Sequence, residues 1–320
     1  MSPSEPPVFI VGCSRSGTTL LRLMLTQHPH MHIPPESEFL LSLHENTDRY
    51  GDFSEPHERW FFIRDLQTTE VSMGAYAFPI FDLSIHEAET ALSDRAPTDF
   101  AGAADALFHA SAHKHGKQRW GDKTPHYVRH IEWLSEAFPE SQFVHMIRDG
   151  RDVARSRVEA GFTVSMRRSA RHWKKEVHTG RQAGRPLPAR RYRELFYENL
   201  VRNPETVLRD LCDWLDLEFT EALFAFDESG DASVPDEHAH LHEKLNAPVD
   251  PSRAQAWKHS LSSRETADVE EEAGSLLQAL GYELTGARVP LWLRGLRGLH
   301  RNTLSYTKSL VETLRRLGIA

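Results

Sequence analysis

A short apolar run, a glycine-rich turn and the start of a helix follow one another near the beginning of the chain, in VFIVGCSRSGTTLLRLML at residues 8–25. Gly12 and Gly17 have the G-x-x-x-x-G spacing of a nucleoside-triphosphate loop, but Thr18 stands where that loop carries its lysine. A strand that runs through such a turn into a helix directs several backbone N–H groups, and the positive end of the helix dipole, at one point. The segment therefore predicts an anion site at the end of a strand.

The side chains of this turn indicate which kind of anion it holds. Arg15 supplies one positive charge, and Ser16, Thr18 and Thr19 supply hydroxyl donors, while Gly17 lets the backbone approach a ligand closely. A triphosphate loop needs its lysine and a magnesium ion against the β- and γ-phosphates. We therefore expect a less highly charged phosphate group here. The simpler alternative is a tight strand-to-helix turn that binds no ligand.

Apolar runs that suit buried parallel strands alternate with helical segments along the chain. Strands are predicted at residues 7–11 and 142–147, with a third within residues 191–200. This alternation predicts an α/β protein with a P-loop-like three-layer α/β/α fold around a central parallel sheet. Residues 55–117 break the alternation with helical and loop-like sequence, and we interpret them as a helical lid inserted into a domain that spans residues 1–285.

Composition excludes several classes of function. The 320 residues carry a formal net charge of -8, so a nucleic-acid partner has no electrostatic support. The two cysteines, Cys13 and Cys212, lie far apart without metal-ligand spacing, which fits a reducing compartment. The first residues lack the charged region of a secretory signal, and no apolar run reaches membrane-spanning length. We therefore expect a cytoplasmic globular protein.

A second basic group follows the predicted strand at residues 142–147. Arg148 comes directly after that strand, at the edge where ligands bind in open α/β sheets, and Ser156 lies about two helical turns further along. A guanidinium group matches the geometry of a phosphate, and a hydroxyl adds a further donor. The pair therefore predicts a second phosphate site. The alternative is that Arg148 pairs with Asp149 or Asp152 and stabilises local structure.

Three segments, in this order, carry a resemblance to a known family: FIVGCSRSGTTLLRLMLTQHP, GDKTPHYVRHIEWLSEAFPESQFVHMIRDGRDVARSRV and FYENLVRNPETVLRDLCDWL. Together they resemble the sulfotransferases that use 3′-phosphoadenosine 5′-phosphosulfate (PAPS), in particular the bacterial group similar to tyrosylprotein sulfotransferases. The resemblance covers most of residues 7–282 and is loose across residues 55–117. It implies a sulfuryl transfer from PAPS to a hydroxyl, with PAPS as co-substrate and no metal requirement.

The resemblance also assigns residues to the donor site. These residues are Arg15, Ser16, Gly17, Thr18, Thr19, Arg148, Ser156 and Tyr197. Those between 15 and 19 are implied to hold the 5′-phosphosulfate, the next two to hold the 3′-phosphate, and the tyrosine to support the nucleotide. The later segment PSRAQAWKHSL resembles one that closes over the nucleotide, with Arg253 beside a phosphate and Trp257 either packing there or serving as a core anchor.

Two further residues are implied to act in the reaction itself. Lys123, in GDKTP, is implied to reach the bridging oxygen between phosphate and sulfate, and Arg15 to share that role. A neutral alcohol is a poor nucleophile without a general base. Glu36, in IPPESEF, matches the glutamate that is the base in the tyrosylprotein group. Glu38 and His32 are the alternative bases.

Other functions compete with this one. A kinase or nucleoside triphosphatase with a degenerate loop is the first alternative, and the absent loop lysine weighs against it. A non-catalytic nucleotide-binding protein is the second, and it leaves the joint presence of Arg15, Glu36 and Lys123 unexplained. The acceptor is expected to be a small-molecule or peptide hydroxyl.

Histidines offer a weaker case for a metal site. His109 and His113 are four residues apart on a predicted helix, and DEHAHLHEK places His238, His240 and His242 at alternate positions. No zinc-type carboxylate–histidine motif accompanies them. We therefore expect no bound metal and interpret these histidines as solvated.

The last part of the chain, residues 286–320, has its own charge pattern. From residue 288 to residue 316 it carries seven basic residues and one acid, Glu312, in a chain that is acidic as a whole. Apolar residues recur at helical spacing, which predicts two short amphipathic helices. The favoured hypothesis is that this tail packs on the core or on a second subunit of a homo-oligomer. The alternative is peripheral contact with an anionic membrane.

Overall fold

The computed structural model describes residues 5–44, 49–71, 75–227 and 250–288. Within these ranges five strands form one sheet: β1 Val8–Gly12, β2 Met31–His32, β3 Arg119–Lys123, β4 Gln142–Ile147 and β5 Tyr192–Phe196. The predicted strands near the beginning, near residue 142 and within residues 191–200 are confirmed. β2 escaped prediction because two residues are too short to show a periodic pattern.

The sheet is parallel, and β1 lies at its centre. The spatial order is β2-β3-β1-β4-β5, and every neighbouring pair runs in the same direction. The carboxyl ends of β1, β3 and β4 therefore meet at one edge of the sheet. This edge brings the loop after β1 together with two loops that lie more than 100 residues later in the sequence.

Helices cover both faces of the sheet because alternate side chains of β1 enter separate cores. Val8 and Ile10 pack with α1 and α10, while Phe9 and Val11 pack on the opposite face. The α-helices of the described residues are α1 Thr18–Thr26, α2 Phe39–His44, α3 Pro56–Thr68, α4 Ile85–Arg95, α5 Phe100–Lys114, α6 Ile131–Ala137, α7 Gly150–Glu159, α8 Met166–Gly184, α9 Tyr197–Arg202, α10 Pro204–Trp214, α11 Trp257–Ser260 and α12 Ser263–Ala279. The arrangement is the three-layer α/β/α fold that the sequence predicts.

The inserted region contains α3, α4 and α5, and it is attached to the core by aromatic packing. Phe108 of α5 stacks on Trp120 of β3 with 4.3 Å between the ring centroids. Ser84 caps α4 in a reciprocal arrangement with Glu87, and the Asp99 side chain caps α5. These helices thus share the core of the sheet face that carries Phe9. Their role as a lid stays a prediction.

Two predictions concern the later part of the chain, the alternate histidines and the basic tail. The alternate histidines near residue 240 and almost all of the basic tail lie outside the described residues. Inside the described ranges, no helix combines the length and apolar character that a membrane span requires.

Candidate active site

The edge of the sheet at the carboxyl ends of β1, β3 and β4 gathers most of the residues singled out from the sequence. The turn after β1 leads into α1, Lys123 is the last residue of β3, and Arg148 follows β4. Because β1 pairs with both β3 and β4, these three strand ends are neighbours. Ligands bind at this edge in open α/β sheets.

The turn after β1 needs its two glycines for different contacts. Gly17 has a φ of 91°, and a Cβ there would overlap the ring of Tyr197. A Cβ on Gly12 would lie 2.5 Å from the backbone oxygen of Met146 on β4. The loop therefore packs closely against β4, its neighbour in the sheet, and against Tyr197. This packing explains how the predicted loop residues and Tyr197, 180 positions apart, come to share one site.

The loop and the residue after β4 also carry donors that no group in the described part of the chain uses. The hydroxyl of Ser16 is buried and has no hydrogen-bond partner, and the same holds for Nε of Arg148. A buried donor left without a partner is costly unless a ligand or water satisfies it. Anionic groups bound beside these two side chains would satisfy them. The residues present therefore fit a phosphate-containing co-substrate.

Arg15 and Arg148 are held beside each other by hydrogen bonds. Arg15 has a left-handed φ of 73°, and its Nε donates to Ser156 Oγ at 3.0 Å. Arg148 donates through Nη1 to the backbone oxygen of Arg15 at 3.2 Å, and its guanidinium lies 4.2 Å from the centre of the Tyr197 ring. Burial, and then the charge of Arg148, lower the pKa of Arg15. Two guanidinium groups this close make the site strongly attractive to an anion.

Arg148 also holds a segment from the far end of the domain. Its Nη2 donates to the backbone oxygen of Arg253 at 2.9 Å, and the same nitrogen lies 4.0 Å from Asp152. The expected alternative, a pairing of Arg148 with Asp152, is thus present as a long contact beside the contacts to the loop. It does not remove Arg148 from the site, because the residue still faces Arg15 and Tyr197.

Sequence reasoning missed the two carboxylates that anchor this segment, residues 253–257. Asp152 accepts from the backbone N–H groups of Gln255 at 2.9 Å and Trp257 at 2.8 Å, and Asp149 accepts from Nε1 of Trp257 at 3.0 Å. Trp257 is 5% exposed and is a core anchor as well as a neighbour of the site. The repeated aspartates in RDGRD were the available signal, and their partners lie more than 100 residues away.

Lys123 and Glu36 form an ion pair next to the loop that follows β1. Lys123 Nζ contacts Glu36 Oε1 and donates to Thr19 Oγ1 at 3.3 Å, so it joins the glutamate to the phosphate loop. The Lys123 side chain is 4% exposed and that of Glu36 is 37% exposed. Burial lowers the pKa of Lys123, and the charge of Glu36 opposes that shift. The predicted lysine, glutamate and loop threonine are therefore in contact.

The two alternative bases occupy different surroundings. His32 is buried, with Nε2 3.2 Å from Ser111 Oγ and its ring stacked on His115. Burial, then the charge of His115, lower the pKa of His32 to about 3. Glu38 has a left-handed φ of 48°, two residues after Glu36. Of the three, Glu36 makes the contact with Lys123.

The interpretation of all the paired histidines as solvated is wrong for His109. This residue is 3% exposed, with its ring 3.5 Å from Asp105, whereas His113 is exposed. Burial lowers the pKa of His109 to about 4. The described part of the chain holds no group of three or more histidine, cysteine or acidic side chains arranged to bind a metal.

Comparison with known proteins places this architecture in a family. The sulfotransferase family profile matches residues 6–221. Protein-tyrosine sulfotransferase A of Caenorhabditis elegans is 22% identical in an alignment of 326 positions. The alignment spans 97% of this chain and 78% of that protein.

Two solved structures share the fold. The sulfotransferase domain of the Synechococcus PCC 7002 olefin synthase is 27% identical, with a TM-score of 0.64 over 88% of this chain and 96% of that domain. The sulfotransferase domain of the curacin biosynthetic pathway is 23% identical, with a TM-score of 0.62 over 88% of this chain and 99% of that domain. With the profile match over two thirds of its length, the chain belongs to the sulfotransferase family and is a PAPS-dependent sulfotransferase.

Proposed function

We propose that this enzyme transfers the sulfuryl group of PAPS to a hydroxyl group of its acceptor, with Glu36 as the general base. The observation that carries the proposal is the contact of Lys123 with both Glu36 and Thr19. One cation thereby touches the loop that fits the phosphosulfate and the carboxylate that would take the acceptor proton. The acceptor is a small molecule or a peptide side chain.

The donor side follows from the charges and unused donors of the site. Residues 15–19 would hold the 5′-phosphosulfate through backbone N–H groups, hydroxyls and the Arg15 guanidinium. Arg148 and Ser156 would hold the 3′-phosphate, and Tyr197 would support Arg148 from behind. The support for this division is that Arg148 and Ser156 both contact Arg15, whereas Lys123 contacts Thr19 and Glu36.

The chemistry needs one proton transfer and one displacement. Glu36 would accept the proton of the acceptor hydroxyl as its oxygen forms a bond to sulfur. The bond from sulfur to the bridging oxygen breaks on the opposite side, and the nucleotide departs with the electron pair as 3′-phosphoadenosine 5′-phosphate (PAP). Lys123 and Arg15 would neutralise the negative charge that grows on that oxygen. The products are a sulfate ester, PAP and a proton released from Glu36 to solvent.

A screen with radiolabelled PAPS tests the proposal. The acceptors are small phenols, aliphatic alcohols and tyrosine peptides, each with a matched amine of the same shape. We expect label on at least one hydroxyl compound and a product that resists the mild conditions that cleave unreacted PAPS. Transfer to amines alone would contradict a hydroxyl acceptor. A hydroxyl product formed equally well by Glu36→Gln would contradict the assigned base.

A further inference from the structure

Asp122 carries a buried carboxyl group and is the neighbour in sequence of Lys123, one of the proposed reaction residues. It precedes Lys123 on β3, so the two side chains point to opposite faces of the sheet. Asp122 is paired in register with Phe9 of the central strand and is 0% exposed. Neither of its carboxyl oxygens makes a hydrogen bond of ordinary geometry. A buried carboxyl group without a well-formed hydrogen bond is costly.

Hydrogen bonds connect the segment after Asp122 to the loop that carries Glu36. The backbone N–H of Ser37 donates to Thr124 Oγ1 at 3.1 Å, and Ser37 Oγ lies 3.1 Å from the hydroxyl of Tyr127. The same tyrosine hydroxyl accepts from the backbone N–H of Leu40 at 3.2 Å. Residues 122–127 thus hold both sides of residues 37–40. Glu36 is the residue immediately before this held segment.

The hydroxyl protons in this cluster have one buried acceptor group in common. Thr124 Oγ1 accepts from Ser37, and the Tyr127 oxygen accepts from Leu40, so their own O–H groups remain to be donated. The hydroxyls of Ser37 and Thr124 both interact with the Asp122 carboxyl group. Tyr127 reaches it through Ser37. Asp122 is therefore placed to receive the ends of two short hydroxyl chains.

We propose that Asp122 is a positioning residue of this enzyme: through Ser37 and Thr124 its carboxyl group fixes the loop that holds Glu36 against Lys123. The inference rests on the proposed role of Glu36. Asp122 does not touch the reacting atoms, since it lies on the other face of the sheet from Lys123. Its effect reaches the reaction only through the placement of the neighbouring base.

The charge of Asp122 matters because its carboxyl group interacts electrostatically with Lys123 and Glu36. Burial raises the pKa of Asp122 to about 7; Ser37, Thr124 and Lys123 lower it, and Glu36 raises it. Tyr127 is the other titratable group facing it, and its pKa is raised well above the ordinary value, by burial first and then by Asp122. A neutral Asp122 leaves Lys123 to pair with Glu36 alone. An ionised Asp122 would repel the Glu36 carboxylate and compete for Lys123.

The test compares Asp122→Asn, which keeps the shape and cannot ionise, with Asp122→Ala, which removes the anchor. At pH 6.5 we expect Asp122→Ala to lower kcat by about 10- to 100-fold, because a misplacement of about 1 Å can cost roughly 10²-fold. Asp122→Asn should restore kcat to within about threefold of wild type. The affinity for PAP should stay within about twofold in both variants, which also shows that they fold. Wild-type kcat in Asp122→Ala, or equal losses in both variants, would overturn the proposal.

The pH profile separates positioning from a merely structural role. Wild-type kcat should fall as the pH rises through about 7, the pKa of Asp122, and Asp122→Asn should lack this fall. Asp105→Asn is the matched control. The Asp105 carboxylate also accepts a hydrogen bond in the core, from Nε1 of Trp120, but it lies outside the Asp122 cluster. This variant should keep the wild-type profile. A fall that persists unchanged in Asp122→Asn would contradict the proposal.

A double variant keeps this proposal distinct from the proposed function. If Asp122 acts through Glu36, adding Asp122→Ala to Glu36→Gln should lower kcat little further, because the coupled effects are not additive. Fully additive losses would overturn the positioning role. If instead Glu36→Gln alone retains wild-type turnover, Glu36 is not the base, and the failure lies in the proposed function. A failure of the positioning role shows instead in the kcat and the pH profile of the Asp122 variants.

Discussion

At the scale of single residues, the site differs from a triphosphate loop by the source of its lysine. Thr18 occupies the position of the loop lysine, and the buried cation comes instead from the end of β3, as Lys123. There it contacts Thr19 and also faces Glu36. A cation placed between the loop and an outside carboxylate suits a reaction in which the leaving group and the entering nucleophile both need control.

Arg148→Ala should weaken the binding of PAP far more than that of adenosine 5′-phosphosulfate, which lacks the 3′-phosphate. A charge-assisted contact to one phosphate contributes about 2–3 kcal/mol and can discriminate only through that phosphate. Isothermal titration calorimetry measures both affinities. Arg155→Ala is the control on the same helix, since Arg155 pairs with Glu159 at the surface. Equal losses for both nucleotides would make Arg148 a structural residue.

The sequence located the residues of the site better than it described their surroundings. The contacts of Lys123 with Glu36 and Thr19, and of Arg15 with Ser156, join residues that motif spacing and resemblance had already picked out. Asp122 was passed over because its importance lies in complete burial. Burial depends on which loops cover a strand end, and local sequence pattern carries little of that information.

At the scale of elements, the start of α7 connects Arg148 with the late segment, residues 253–257. Asp149 caps α7 by accepting from the backbone N–H of Arg151, and it also receives Nε1 of Trp257. Asp152 receives two backbone N–H groups of residues 255–257. One helix start therefore serves as the anchor for residues 253–257 and as the support of Arg148.

Asp152→Asn should raise the Kd for PAP by about tenfold or more with a smaller effect on kcat. The amide retains one acceptor oxygen where the carboxylate used two, so one backbone N–H of the late segment loses its partner at a cost of about 1–3 kcal/mol. Calorimetry gives the affinity, and the split between KM for PAPS and kcat gives the step affected. Asp52→Asn is the matched control, because Asp52 is exposed and its side chain accepts from the backbone N–H of Ser54, away from this site. Unchanged PAP affinity in Asp152→Asn would contradict this anchoring role.

At the scale of the whole molecule, buried neutral histidines link stability to pH. His145 on β4 is fully buried, and its Nδ1 lies 2.7 Å from the Tyr192 hydroxyl. Burial lowers the pKa of His145 to about 3 and, together with smaller charge effects, that of His32 to about 3. A group whose pKa is lowered by folding stabilises the fold above its unfolded value, near 6.5, and this contribution is lost as the pH falls toward the folded value.

The free energy of unfolding should therefore fall by about 2 kcal/mol for each such histidine between pH 7 and pH 5, since each unit of pH below about 6.5 costs roughly 1.4 kcal/mol. Urea titrations at the two pH values measure the change. In His145→Gln the fall should be smaller by that amount, whatever the variant's stability at pH 7. The exposed His113→Gln should keep the wild-type fall. An unchanged pH dependence in His145→Gln would show that this histidine is protonated in the fold.

The overall architecture was predictable from the order of strands and helices, and its details were not. Continuous apolar runs at β1 and β4 indicate strands covered on both faces, which leads directly to a parallel three-layer fold. The sheet order, with β3 rather than β2 beside β1, depends on the long connection through α3 to α5. Pairing across more than 80 residues leaves no periodic signal in either strand.

The most direct measurement is a single-turnover assay with labelled PAPS and an acceptor from the screen, comparing wild type with Glu36→Gln. The account predicts that the rate of transfer falls about 10²- to 10⁴-fold in the variant, because the amide cannot accept the acceptor proton. PAP affinity, measured on the same preparation, should stay within about twofold. A near-wild-type rate with intact PAP binding would contradict the account and transfer the role of base to Glu38.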